Sequence, residues 1–131
     1  MIDHEYQIYT ELKNHMLAKY PGLECSSIEQ DSPPSFPFMA FEQYDNPVAM
    51  EHYCESERFV APKFRISVFC DGNDKVLAKD LLTEADSYMA SVGLIRGFGP
   101  QKVATDLPNV VKMITLYDRN LMDANGYVYD R

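Results

Sequence analysis

Lys63-Phe64-Arg65-Ile66-Ser67-Val68-Phe69-Cys70 is the stretch that decides the fold. Phe64, Ile66, Val68 and Cys70 share one parity, and Lys63, Arg65 and Ser67 occupy the other. A period of two with one apolar face is the signature of a strand that covers a core. Upstream, Phe36 to Tyr44 reads as its partner. Phe36, Phe38, Ala40 and Tyr44 fall on one parity, Met39 and Phe41 on the other. Pro37 has no N–H to give to a ladder, so this strand must start at an edge or outside the sheet. The pair 36–44 and 59–70 reads as a hairpin with a long acidic loop, 45–58, holding Asp45, Glu51, Glu55 and Glu57 against the single cation Arg58. A two-residue turn would be tighter, so the extra length asks for a reason.

A helix is expected on either side of this hairpin. Over residues 2–20, Ile2, Tyr6, Tyr9, Leu12, Met16 and Tyr20 recur at spacings of three and four, one stripe of a 3.6-period helix. Glu11 and Lys13 fall on the wet side, and Pro21-Gly22 ends the helix. Over 74–92, Leu77, Leu81, Ala85, Met89 and Val92 make a second stripe. Asp71-Gly72-Asn73-Asp74 supplies a cap before it and Gly93 a left-handed stop after it. Leu23–Glu29 and Leu94–Phe98 read as short strands, with turns at Gly99-Pro100 and Asp106–Asn109. Val110–Tyr117 is a strand with apolar residues on both parities, which points to burial on both faces or an interface on one. Beyond it, 118–131 reads as a strand hairpin turned at Asn125-Gly126, or as an arm that orders on a partner.

The order α-β-β-β-α-β-β predicts an α+β domain at 1–117. A mostly antiparallel sheet of four to five strands carries two helices on one face. The second face is then left without cover, and uncovered apolar surface is normally closed by another subunit.

Composition narrows the function. The chain has 131 residues, 20 acidic and 12 basic, for a net charge of −8. Such a surface disfavours tight binding to nucleic acid or anionic membranes, which runs on Lys and Arg. No apolar run is long enough for a membrane span. The polar start, Met1 to Glu5, does not read as a signal peptide. Cys25, Cys54 and Cys70 are odd in number and far apart, and read as free thiols in a reducing compartment.

The chemistry that a catalyst needs is not spelled out. There is no GxSxG elbow. His52 and Cys54 would share a face on a strand, but no third group is marked to orient the imidazole. They supply two metal ligands at most, whereas structural zinc takes four. Residues 71–82 depart from a calcium loop, with Lys75, Val76 and Leu82 at its fifth, sixth and twelfth positions. Gly97-Phe98-Gly99 precedes a proline and no helix, so it is no dinucleotide loop. The reading therefore calls for no catalytic residue, no metal and no cofactor.

Val92-Gly93-Leu94-Ile95-Arg96-Gly97-Phe98-Gly99-Pro100-Gln101, followed by Asp106-Leu107-Pro108-Asn109-Val110-Val111-Lys112-Met113, resembles the C-terminal half of a known family. These are the tail terminator (tail completion, head–tail joining) proteins of long-tailed bacteriophages and prophages. Phe98-Gly99-Pro100-Gln101 matches a four-residue segment of that family. Asn109 to Met113 sits where its final strand begins, and Pro34-Ser35-Phe36-Pro37-Phe38 where an early strand starts. The likeness spans most of 2–117. Lys112 stands where the family often has Arg, and Asp118-Arg119-Asn120 where it often continues with basic residues.

The resemblance implies a non-enzymatic virion part at the tail–head junction, made in the host cytoplasm. It implies a homo-hexameric ring, with free monomers before assembly as a further state. The ring caps the tail-tube protein, halts tube growth and offers a surface to the head-completion or connector protein. DNA would pass through without specific binding. On this reading Gly97, Phe98, Gly99, Pro100 and Gln101 are a candidate subunit contact. Asp45, Glu51, Glu55 and Glu57 are a candidate lumen lining that repels phosphates. The competing expectations are another neck or tail part, such as a stopper or tube subunit, and a cellular ligand-binding module with a closed pocket.

Overall fold

The computed structural model describes residues 3–28, 33–51, 57–123 and 125–130. Along the chain run α1 (Glu5–Lys19), β1 (Glu24–Ser26), β2 (Phe38–Asp45), β3 (Val48–Glu51), β4 (Glu57–Val60), β5 (Lys63–Asp71), α2 (Lys75–Ser91), β6 (Phe98–Val103), β7 (Val110–Tyr117), β8 (Asn120–Asp123) and β9 (Val128–Asp130).

Five strands form one sheet in the order β1-β2-β5-β7-β6. Its pairs are antiparallel except for β1 beside β2. Taken with the helices, this sheet follows the order α-β-β-β-α-β-β along the chain, and the fold is α+β. The expected hairpin is present, with Phe38 opposite Phe69 and Phe41 opposite Ile66. Pro37 lies just before β2, and its carbonyl accepts the Glu24 N–H at 3.0 Å.

The stretch 45–58 is not a plain loop. It carries β3 and β4, which join β8 and β9 in a second sheet of order β3-β4-β8-β9. β3 prolongs β2, β4 leads into β5, and β8 prolongs β7, so the neighbours of the first sheet remain neighbours in the second. Pro47 and Pro62 sit at the break, where neither can donate to a ladder. The Ala61 N–H donates to the Pro47 carbonyl at 2.9 Å and holds the two arms together through the bend. Residues after Tyr117 belong to this second sheet: β8 pairs with β4 and with β9, and Met122 is buried in the core.

The core lies between the helices and one face of the first sheet. Leu12, Met16, Leu81, Met89, Phe41, Phe64, Ile66, Val68, Met113 and Tyr117 meet there with almost no exposure. In α1 the buried stripe is Ile8, Leu12 and Met16. Tyr6, expected on that stripe, is 81% exposed. Ile8 displaces it because Ile8, Leu12 and Met16 repeat strictly at four residues and stack on one line of the helix. In α2 the buried set is Ala78, Leu81, Leu82, Ala85 and Met89, and the expected Val92 lies at the rim. Asp74 caps α2 by accepting the Leu77 N–H at 3.0 Å.

Polar groups pin the layers together. Glu84 of α2 binds His15 at 3.0 Å and Lys19 at 3.1 Å, both on α1. The Lys19 hydrogen bond holds the Glu84 carboxyl below its usual range. Glu11, expected to be wet, accepts the Tyr88 hydroxyl at 2.7 Å. The buried Tyr117 hydroxyl donates to Asp86 at 2.7 Å and ties β7 to α2. Burial, and then that bond, raises the Tyr117 pKa. Burial likewise raises Cys25 and Cys70 from 9.0 to about 11.

These groups fold in their neutral forms, which sets the sign of a pH effect. Raised folded-state values give stability that is complete below the ordinary pKa and lost as pH climbs through the raised one. The thermal midpoint should therefore be level near neutral pH and fall as pH passes from 9.0 toward about 11. A midpoint that holds through that window would contradict the account.

Candidate functional site

The alternation of β5 and β7 creates a helix-free face. In β7, Val111, Met113, Thr115 and Tyr117 are buried beneath the helices, while Val110, Lys112, Ile114 and Leu116 are half-buried on the other side. At one end this face seals itself. Phe38, Ala40 and Phe69 are buried together, with Phe36 and Val110 against them. The Lys112 ammonium stands 5.3 Å from the Phe69 ring centroid, within cation–π range. In the middle, Arg65 and Glu42 pair at 3.0 Å. Toward β6, Ile114 and Leu116 lie beside Phe98, which is 42% exposed.

The candidate contact residues Gly97, Phe98, Gly99, Pro100 and Gln101 fall here, but not as a turn. Leu94–Gly97 is no strand, and Phe98 to Gln101 opens β6, the edge strand beside β7. Phe98 faces Leu116 and Gln101 faces Ile114, so the stretch between them bulges. The Gly99-Pro100 pair, rich in turn signals, predicts a chain reversal that does not occur. The two glycines serve close approach instead. Gly99 has φ +90°, and a Cβ on it would run into the Ile114 carbonyl oxygen. A Cβ on Gly97 would meet the Asp118 carboxylate and the Arg119 stem. The Gly97 N–H donates to the Leu116 carbonyl at 2.9 Å.

Asn120 anchors this segment from behind. It is buried, accepts the Ile95 N–H at 3.1 Å and donates to the Ile95 carbonyl at 3.3 Å. Its role was not visible in the sequence, where Asp118-Arg119-Asn120 reads as polar chain.

The candidate acidic loop falls on three strands, with Glu51 and Glu57 as cross-strand partners. Asp45 ends β2, Glu51 ends β3 and Glu57 opens β4. Glu55 lies outside the described residues, as do His52 and Cys54. Among the described residues no group of three metal-ligating side chains gathers. His4 is bonded to the Asp123 carbonyl at 2.8 Å, and His15 to Glu84. A cleft of about 120 Å³ lies between His4, Tyr88, Leu94 and Asn125. Small-molecule sites run from roughly 300 Å³ upward, so it is small for one.

No protein-family model matches the chain, and no curated protein matches it.

The geometry separates two roles within one motif. Gly99→Ala should destabilise the fold by about 2 kcal/mol, because a side chain is strained at that φ and has no room. Phe98→Ala should change stability by less than about 1 kcal/mol, because much of the ring is already in water. Chemical denaturation of both variants measures this. Equal losses would mean that Phe98 is a core residue.

Proposed function

We propose that this protein is a ring-forming structural part of a long-tailed phage or prophage particle. It ends the tail tube and presents the head-joining surface. The observation that carries the reading is the apolar patch on the β6 side of the helix-free face, where Phe98 stands exposed beside Ile114 and Leu116. An exposed aromatic on an edge strand, backed by half-buried aliphatics, is the composition of a contact surface. Phe98 also belongs to the Phe98-Gly99-Pro100-Gln101 segment that carries the family resemblance. A head-to-tail contact repeated around an axis closes into a ring, the geometry that capping a tube requires.

The acidic stretch 45–57 has a role in this reading. Asp45, Glu51, Glu55 and Glu57 would line the passage and keep DNA phosphates from sticking. Membrane association has no part in it: no described helix is long and apolar enough to cross a membrane.

Mass photometry of the pure protein, with and without tail-tube fragments, tests the function. A ring-sized species that forms alone or on tube ends, and that stops further tube growth, is the expected result. Phe98→Ala should lower the population of that species while the variant stays folded. Filaments of the protein alone would favour a tube subunit, and a monomer indifferent to tubes would overturn the reading.

A further inference from the structure

The net charge of this chain is concentrated in one place. Residues 20–57 hold eight carboxylates, Glu24, Glu29, Asp31, Glu42, Asp45, Glu51, Glu55 and Glu57, and no lysine or arginine. The rest of the chain holds twelve acidic and twelve basic residues. Of the eight carboxylates, Glu24 lies on β1, Glu42 and Asp45 on β2, Glu51 on β3 and Glu57 on β4, and Glu29, Asp31 and Glu55 lie outside the described residues. β1 is one edge of the first sheet and β3 one edge of the second.

The far edge is of opposite character. From 96 to 119 the chain carries Arg96, Lys102, Lys112 and Arg119 against Asp106 and Asp118. That segment builds β6 and β7, and β6 is the other edge of the first sheet. Arg96, Lys102 and Arg119 are exposed. Among the described residues the first sheet thus presents the exposed Glu24 at its β1 edge and the exposed Lys102 at its β6 edge. Each edge also carries an exposed apolar residue, Ile28 (66%) just after β1 and Phe98 (42%) in β6.

We propose that successive copies of this chain join head to tail, the basic β6 edge of one against the acidic β1 edge of the next. This rests on the ring reading above and names its contact. Among the described residues β1 pairs only with β2, and β6 only with β7, so each has one side open to a further strand. Lys102 opposes pairing of β6 with a second β6, and Glu24 opposes pairing of β1 with a second β1. Like edges repel and unlike edges attract, which selects a heterologous contact over a two-fold one. Phe98 and Ile28 supply the apolar surface that the charges steer together.

The test uses two folded variants and their mixture. Arg96→Glu/Lys102→Glu spoils the basic edge, and Glu24→Lys weakens the acidic one. Circular dichroism melts confirm that both remain folded, and light scattering reads mass. Each variant alone should fall to the chain mass. Their mixture should assemble again, because an intact acidic edge meets an intact basic one and the two reversed edges are also of opposite sign. For the wild type, raising salt from about 0.05 M to about 1 M, where the Debye length shrinks to about 3 Å, should shift mass toward the monomer.

A wild type that stays monomeric at every concentration and salt would overturn the inference. So would folded variants that assemble like wild type. In the second case the ring reading stands and only its contact is wrong. If the mixture reassembles but wild-type assemblies ignore tube ends, the contact stands and the tube-capping function fails.

Discussion

Period-two alternation along β5 and β7, held in register by their antiparallel ladder, is the constraint on which the rest depends. Phe64 opposite Tyr117 and Val68 opposite Met113 put one parity beneath α1 and α2. The same register forces Arg65, Ser67 and Phe69, with Lys112, Ile114 and Leu116, to the other side. A slip of one residue would exchange the two sets and bury charges beneath the helices. Tyr117 fixes this choice from the core side, because its hydroxyl reaches Asp86 of α2 only when β7 presents that parity inward.

The helix-free face is consequently a surface of mixed composition. One end is closed by Phe38, Ala40 and Phe69, the centre is occupied by an Arg65–Glu42 pair, and the β6 side stays apolar and open. That gradient localises any contact to an edge and leaves the middle of the sheet out of it. The bend at Pro47 and Pro62 turns β3, β4 and β8 into a second sheet that adds Val60 and Met122 to the core. Glu24 on β1 and Lys102 on β6 then stand at opposite edges of the first sheet.

Much of this was legible. The alternation at Phe64–Cys70, the cap at Asp74 and the Asn125-Gly126 turn are local signals, and each is matched by an element nearby. The failures share a physical cause, which is tertiary context overriding a local signal. Gly99-Pro100 looks like a turn, yet the approach of Ile114 makes glycine obligatory within a strand. Residues 45–58 look like an acidic loop, yet pairing of β4 with β8, far along the chain, draws out two strands. Tyr6 lies three residues before Tyr9 and so reads as part of its stripe, but the sheet faces the line of Ile8, Leu12 and Met16. The candidate contact at 97–101 was placed in the sequence by motif. Its edge position and the Asn120 clamp behind it depend on contacts that no local pattern encodes.

On the function proposed above, the protein acts through its shape, as a repeated unit around an axis. Electron-microscopy class averages of the purified protein with tail tubes test it most directly. The account predicts an annulus seated on one end of the tube, with β6 of each copy inside the contact to its neighbour. Averages showing isolated copies bound along the tube wall, or an annulus with β6 on its outer rim, would contradict it.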